Sequence, residues 1–409
     1  MPANRFEVRC IGCGRSFSDV FMPFCDECGN ITDAFYDIES VQIRNSTNPY
    51  VRFQDLLPVY DVNFLPRTSE YTPVIHAKRI GAKLGMPWLY FKDETKAPTG
   101  TTKDRMAAVS LAYLYECGVR RLCTSSTGNS STAYADAIGR FPDFFMYLFT
   151  AEAFRSRVQY TPSNQIKHFV MRGASFVEAF NYATKFAKQN GFIPEQGFFN
   201  LGRREGLKLA WFEAIEQVGR DINWYVQAVS SAIGVYGTYK GAKEMRQLGR
   251  IDCLPKLLCV QQKSCAPMAH AWDDDSESIE PRHIVKDPSG IATAILRGDP
   301  SSTFPQIRKI VIESRGRIIA VSEEEIREAR KMAEDFEEIS PCFSASSALA
   351  GLIKLVRGGG FPQYETVLVN LTGKDREANL NMQQNETVMV RSGDGWVPEN
   401  GSSHPLLLF

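Results

Sequence analysis

Two segments of this 409-residue chain share one arrangement: an apolar run, then small polar residues around a glycine, then a helical pattern. They are RLCTSSTGNSSTAYADAIG at 121–139 and WYVQAVSSAIGVYGTYKGAKEM at 224–245, and a third apolar run, TVLVNLTG at 366–373, ends in a Thr-Gly turn. Apolar strands that alternate with helices predict a layered α/β fold with a parallel sheet. Ligands bind at the carboxyl ends of strands in such sheets, so these polar turns mark the predicted site.

The charge balance narrows the possible partners. Lys plus Arg equals Asp plus Glu, 47 against 47, so no long-range field favours nucleic acid or an anionic membrane. No segment offers the roughly 18 uncharged apolar residues of a membrane span, and the first residues lack the apolar core of a signal peptide. We therefore expect a cytoplasmic protein whose partners are small molecules.

Four cysteines near the start form two CxxC pairs separated by eleven residues. They are Cys10, Cys13, Cys25 and Cys28. Tetrahedral zinc takes four thiolates at about 2.3 Å, and a CxxC turn lets two sulfurs converge on one ion. The pattern predicts a structural zinc ribbon, with free packing thiols as the alternative. A catalytic zinc is disfavoured because four cysteines fill its coordination shell.

A lysine stands in an unusual context in APTGTTKDRM, residues 97–106. Lys103 follows a Pro-Thr-Gly turn and two threonines. Together with the three polar turns, it gives the predicted site an amine, an amide, a hydroxyl and a set of backbone amides. Pyridoxal phosphate needs these groups: the amine for its aldehyde, helix-terminal amides for its phosphate, and polar partners for its ring. The sequence therefore predicts pyridoxal 5'-phosphate as cofactor.

Five blocks resemble successive blocks of the threonine synthase family, in the tryptophan-synthase-β-like class of pyridoxal enzymes. They are PTGTTKDR, SSTGNSS, NLGRREGLKLAWFEAI, GIATAILRGDP and NLTG. The resemblance implies an α/β, fold type II enzyme with two domains, parallel-rich sheets and, as in some family members, an N-terminal zinc-ribbon-like module. We place that module at 1–35, the larger domain at 36–96 and 201–395, the smaller domain at 97–200 and a tail at 396–409. A homodimer is common among such relatives.

The resemblance also implies roles for single residues. Lys103 resembles the Schiff-base lysine and general base, Asn129 the residue that hydrogen-bonds the ring hydroxyl, and Thr372 the partner of the pyridine nitrogen. The cofactor phosphate is expected at Ser230, Ser231, Ala232, Ile233 and Gly234. Substrate contacts are expected from Thr102, Arg105, Ser126, Thr127 and Ser130, with Lys92, Arg203 and Arg204 as further candidates for a phosphorylated amino acid.

The implied reaction eliminates phosphate from O-phosphohomoserine and adds water to give threonine. A specialised relative, of which cysteate synthase is an example, is the alternative. It would act on phosphoserine or another activated amino acid with a different nucleophile. A hypothesis from another class is a non-catalytic module that binds nucleic acid or protein. The balanced charge and the intact TTKDR motif disfavour that third hypothesis.

Overall fold

The computed structural model describes residues 6–18, 20–379, 385–393 and 395–401. In chain order the strands are β1 (Phe6–Cys10), β2 (Ser16–Phe17), β3 (Thr32–Tyr36), β4 (Val74–His76), β5 (Leu89–Asp93), β6 (Arg121–Thr124), β7 (Phe145–Ala151), β8 (Ile166–Met171), β9 (Ile193–Pro194), β10 (Trp224–Ala228), β11 (Lys256–Gln262), β12 (Arg317–Val321), β13 (Val367–Leu371), β14 (Glu386–Ser392) and β15 (Gly395–Pro398).

The α-helices, again in chain order, are α1 (Pro49–Arg52), α2 (Lys78–Leu84), α3 (Lys103–Glu116), α4 (Asn129–Ala137), α5 (Phe176–Gln189), α6 (Leu201–Leu207), α7 (Leu209–Val218), α8 (Ile233–Gln247), α9 (Pro267–Asp273), α10 (Phe304–Glu313), α11 (Glu323–Glu337) and α12 (Phe343–Arg357). Within these described residues, no helix has the length and apolar character needed to cross a bilayer.

The larger sheet has six strands in the order β12-β11-β10-β13-β5-β4. The first five strands run parallel, and β4 pairs antiparallel with β5 at one edge. All five residues of β10 and of β13 are buried, as expected for central strands covered by helices on both faces. Since β13 lies beside β10, the two strands of this sheet that precede the predicted polar turns end side by side.

The smaller sheet also has six strands, in the order β15-β14-β8-β7-β6-β9. Strand β14 pairs parallel with β8, and β15 pairs antiparallel with β14. Residues 386–392 and 395–398 therefore lie in the smaller sheet, which corrects the placement of 386–392 and 395 in the larger domain and of 396–398 in a tail. These residues follow β13 of the larger sheet in the sequence, but their strands pair in the smaller sheet. Residues 402–409 of the predicted tail lie outside the described residues.

The N-terminal module is a three-stranded antiparallel sheet in the order β2-β1-β3. It contacts the larger domain through polar groups of α6. The guanidinium of Arg204 in α6 donates to the carbonyl of Thr32 and lies 3.5 Å from Asp33. Tyr36 donates from its hydroxyl to Glu205 of the same helix at 2.7 Å. The module is thus fixed to α6.

Candidate active site

A cleft of about 210 Å³ lies where the carboxyl ends of β6, β10 and β13 meet the start of α3. Its walls include most of the predicted site residues. Those lining it are Thr102, Lys103, Ser126, Thr127, Asn129, Ser130, Ser230, Ser231, Ala232, Ile233, Gly234 and Thr372. The turns after β10 and β13 converge because parallel strands present their carboxyl ends at one edge of the larger sheet, and the turn after β6 of the smaller sheet lines the same cleft.

Backbone contacts hold Lys103 next to the end of β13. The Thr102 amide donates to the carbonyl of Thr372 at 2.9 Å, and Thr101 forms a β-bridge with Gly373. A Cβ on Gly373 would lie 2.7 Å from the side chain of Thr101, so the close approach needs glycine there. Lys103 is the first residue of α3 and is partly exposed to the cleft.

The amine of Lys103 is easier to deprotonate than that of an ordinary lysine. Its pKa is lowered to about 8, first by burial and then by the positive charge of Arg203, against the opposing effect of Glu195. A neutral amine is the form that attacks an aldehyde and that accepts a proton. The surroundings of Lys103 therefore suit both tasks.

The turn after β10 leads directly into the amino terminus of α8. Ala232 has φ 58° and ψ 23°, a left-handed conformation that turns the chain into the helix. No side chain caps α8, so its first-turn amides are available to an anion. A Cβ on Gly234 would lie 2.6 Å from the side-chain amide nitrogen of Gln227, so a larger residue would displace that side chain. This turn fits a phosphate group.

Serine and glycine shape the turn that carries Asn129. The hydroxyl of Ser126 accepts hydrogen bonds from the amides of Gly128 and Ser131, both at 3.1 Å. Gly128 has φ +121°, and a Cβ there would lie 2.8 Å from the side chain of Arg157. Asn129 accepts from Arg376 through Oδ1 at 2.7 Å, so its Nδ2 group remains to donate. That donor fits a ring oxygen.

Two arginines line the cleft. Arg203 donates to Glu195 at 2.5 Å and to the hydroxyl of Ser130 at 3.3 Å. Arg297 makes no carboxylate ion pair among the described residues, and its Nε donates to the carbonyl of Asp299 at 3.0 Å. Burial lowers the pKa of Arg297. The sequence interpretation named Arg203 but missed Arg297, although Arg297 belongs to GIATAILRGDP, one of the quoted blocks.

Three other predicted cations lie away from the cleft. Arg105 is bound by Glu94 at 2.8 Å and by Glu213 at 2.6 Å, and Lys92 donates to the same Glu213 at 2.6 Å. All four side chains are buried. The expected substrate contact of Arg105 does not fit this placement, because its guanidinium is already fully engaged by carboxylates. Arg204 is occupied at the N-terminal module.

The four N-terminal cysteines come together. Their sulfur atoms all lie within 4.8 Å of one another, with Cys10 and Cys28 3.3 Å apart and Cys13 and Cys25 3.6 Å apart. Four ligands at about 2.3 Å from one zinc ion have sulfur separations of about 3.8 Å. The amide of Gly12 points at the sulfur of Cys10 at 3.3 Å. The cluster fits a closed tetrahedral metal site.

An amine at a helix start, an uncapped helix terminus and polar groups at parallel strand ends define a site for a phosphorylated carbonyl cofactor. The family described as pyridoxal-phosphate dependent enzyme matches residues 67–373, and the chain belongs to this family. It is therefore a pyridoxal-phosphate-dependent enzyme. The residues of the cleft fit the cofactor by the three tests above: the amine, the uncapped α8 amides and the glycine at 234.

Curated relatives extend over nearly the whole chain. Cysteate synthase of Methanosarcina acetivorans is 27% identical over 388 residues, covering 90% of this chain and 92% of that protein. Threonine synthase of Methanocaldococcus jannaschii is 29% identical over 389 residues, covering 91% and 94%. These relatives confirm the resemblance to threonine synthases and their specialised paralogues.

Solved structures share the fold. Threonine deaminase isoform 2 of Solanum lycopersicum superimposes with a TM-score of 0.62 at 16% identity, covering 82% of this chain and 94% of that one. Maize serine racemase superimposes with a TM-score of 0.60 at 18% identity, covering 76% and 89%. The predicted two-domain, fold type II architecture is thereby confirmed.

Proposed function

We propose that this enzyme releases phosphate from an amino acid with a phosphorylated side chain. The phosphate leaves either by elimination or by substitution with a nucleophile. The supporting observation is that the cleft has two arginines in addition to the backbone amides that suit the cofactor phosphate. Arg203 and Arg297 line the cleft as well as the turn at 230–234, so a second anion can bind. The relatives named threonine synthase support the finer proposal that the substrate is O-phosphohomoserine and that water adds to give threonine.

In this reaction the bound cofactor withdraws electrons from the bonds at Cα. Lys103 is proposed to take the proton from Cα and to move protons at Cβ, because its lowered pKa keeps part of the amine neutral. The turn at 126–130 offers amides and hydroxyls for the substrate carboxylate. Asn129 is proposed to hold the ring oxygen and Thr372 the ring nitrogen. Arg203, with Ser130 beside it, is proposed to hold the departing phosphate.

A second candidate is β-replacement on O-phosphoserine with a nucleophile other than water. Three cationic side chains, Arg157, Lys374 and Arg376, surround a recess beside the cleft and favour this candidate. The relatives named cysteate synthase support it as well.

The test compares the purified holoenzyme with Lys103→Ala, each given O-phosphohomoserine or O-phosphoserine while phosphate and amino-acid products are measured. We expect the wild type to be yellow and to release phosphate, and Lys103→Ala to lose at least about 1000-fold in rate, the order expected when nucleophile and base are removed together. Lys96→Ala, an exposed lysine in the same connection, is the matched control and should retain activity.

The products decide between the candidates. Threonine from O-phosphohomoserine supports the first, and consumption of O-phosphoserine alone supports the second. A colourless protein that releases phosphate from neither compound would contradict both and favour a non-catalytic binding module.

We also propose that the four-cysteine cluster holds a structural zinc ion. Metal analysis of the purified protein should give about one zinc per chain, as a four-thiolate site binds one ion. Cys13→Ser should lose the zinc, whereas Cys253→Ser, outside the cluster, should keep it. A zinc-free wild type with reduced thiols would favour the packing-thiol alternative. The homodimer stays a prediction, which sedimentation equilibrium of the holoenzyme would test.

A further inference from the structure

A second cavity, here called the side pocket, adjoins the cleft. Its volume is about 250 Å³, and its charged lining consists of Arg157, Lys374, Arg376 and Asp375. Asn129, Thr293, Ala294, Cys342 and Ser344 line both cavities. A small molecule in the side pocket would therefore lie next to a ligand in the cleft.

The cations of the side pocket are not neutralised by carboxylates. Arg157 donates to the hydroxyl of Thr293 at 2.8 Å, and Arg376 donates to Asn129 and to the carbonyl of Arg157. Among the described residues neither guanidinium forms an ion pair. The one acid of the lining, Asp375, is paired with Arg330 at 2.8 Å. The pocket thus has an excess of positive charge.

Two further features add to this positive character. The amino terminus of α12, a helix of 15 residues, opens into the side pocket at Phe343 and Ser344, and helix amino termini attract anions. The Nε group of Arg376 is buried and has no hydrogen-bond partner. An unpaired buried donor is unfavourable, so a bound acceptor would relieve it.

The pKa values of Arg157 and Arg376 are consistent with the lack of a carboxylate partner among the described residues. Burial lowers the pKa of Arg157, and it also lowers the pKa of Arg376, to which the neighbouring charge of Arg157 contributes in the same direction. Cations that are partly desolvated and close to each other favour the binding of an anion between them.

We propose that the side pocket binds a small oxyanion, distinct from the cofactor phosphate and from the anion next to Arg203. The turn at 230–234 and Arg203 line the cleft but not the side pocket, so the two other anions have their own sites. The inference rests on the proposed function in one respect, that the oxyanion takes part in the reaction. The oxyanion is a separate anionic reactant, because the departing phosphate of the substrate is placed next to Arg203, which does not line the side pocket.

The test measures inorganic sulfate binding to the holoenzyme by calorimetry, which needs no turnover. With the cofactor bound, the turn at 230–234 is filled and does not compete for sulfate. We expect Arg157→Gln and Lys374→Gln each to weaken sulfate binding at least about tenfold, the loss expected for one charge-assisted contact. Lys374 is exposed, so Lys374→Gln should fold even if Arg157→Gln does not. Arg357→Gln, at the opposite end of α12, is the matched control and should bind as the wild type does.

Three results would overturn the proposal: no sulfate binding by the wild type, binding unchanged within about twofold in both pocket variants, or binding lost only in Arg203→Gln. Sulfate inhibition of turnover then tests the role of the anion. Inhibition that is non-competitive with the amino acid and absent in Arg157→Gln supports a separate reactant, whereas inhibition that is competitive with the amino acid and absent in Arg157→Gln would overturn that role. If no amino acid is turned over but the sulfate result holds, the pocket stands and the proposed function fails.

Discussion

The amine of Lys103 is the group that we propose as the base of the cleft. With a pKa of about 8, roughly a tenth of it is neutral at pH 7, against about one part in three thousand for a lysine of pKa 10.5. The neighbouring Arg203 contributes to this by its positive charge. The cleft therefore supplies a usable base at neutral pH without a second titratable group.

The first prediction concerns cofactor uptake by the apoenzyme. Because only the neutral amine reacts with the aldehyde, the rate constant of incorporation should rise about tenfold per pH unit below the pKa and level off above pH 8. Visible absorbance after mixing apoenzyme with cofactor measures it. In Arg203→Gln the levelling-off should move to higher pH, since a positive charge that lowers the pKa of Lys103 is gone. A rate still rising tenfold per unit near pH 10 would contradict the prediction.

Residue patterns predicted the turns of the cleft better than the directions of helical side chains. Ser126, Asn129 and Thr372 lie in turns that follow strands, and ligands bind at the carboxyl ends of parallel strands. Lys103 and Arg105 are two positions apart in α3, and residues at that spacing do not share a helix face. One therefore lines the cleft while the other is buried behind it. The motif fixed their order in the chain and not their orientation.

The contact of Arg376 with Asn129 could not be predicted from the sequence. The two residues are 247 positions apart, and their hydrogen bond exists because the segment after β13 crosses the mouth of the turn at Asn129. Local sequence patterns carry no information about a contact between residues so far apart in the chain. The same holds for the side pocket as a whole.

Helix α3 connects the cleft to a buried ion cluster. Its first residue is Lys103, and two residues later Arg105 binds Glu94, which follows β5, and Glu213 of α7. Lys92 of β5 completes a cluster of two cations and two anions. The nearby cations, chiefly Arg105, hold the pKa of Glu94 at about 2 against its burial, which favours the neutral form. Three elements are thus held together behind Lys103.

The second prediction is that Arg105→Gln lowers the free energy of unfolding by about 3–5 kcal/mol, because it leaves buried carboxylates without their partner. Arg357→Gln removes an exposed pair with Glu328 and should cost less than about 1 kcal/mol. Urea unfolding of both holoenzymes measures the difference. If Arg105 instead contacted substrate, Arg105→Gln would raise KM at unchanged stability.

The element pattern in the sequence was informative where strands are followed by helices. It predicted the segments of β6, β10 and β13, whose apolar runs end in polar turns. It placed the residues of β14 wrongly in the larger domain, since ETVMVRS indicates a strand but not the sheet that the strand joins. Which sheet such a strand joins depends on the path of the chain after β13, and that path is set by tertiary contacts.

At the scale of the molecule, β14 joins the segment that follows β13 to the smaller domain. Glu386 at its start accepts from Arg155 at 2.8 Å and lies 3.4 Å from the ring of His168. Met389 is fully buried among the aromatic side chains of that domain. The smaller domain is therefore built from two distant parts of the sequence, on either side of most of the larger domain.

The third prediction is that Met389→Ala destabilises the smaller domain by about 2–5 kcal/mol, the usual cost of a buried methionine truncated to alanine. Amide hydrogen exchange should show faster exchange in β7 and β8, with β10 and β11 unchanged. Val397→Ala, at a half-exposed position of β15, should change exchange little. Faster exchange confined to β10 and β11 would contradict the topology.

Strands β13 and β14 follow their neighbours β10, β5 and β8 in the sequence, and this order affects how the chain folds during translation. In the larger sheet β13 fills the gap between β10 and β5, and in the smaller sheet β14 covers the edge of β8. Until both have left the ribosome, β5, β8 and β10 each lack a neighbour, and open strand edges invite pairing with other chains. The nascent polypeptide must therefore keep these edges apart until β13 and β14 have emerged, and the complete cleft forms only after Thr372 has left the ribosome.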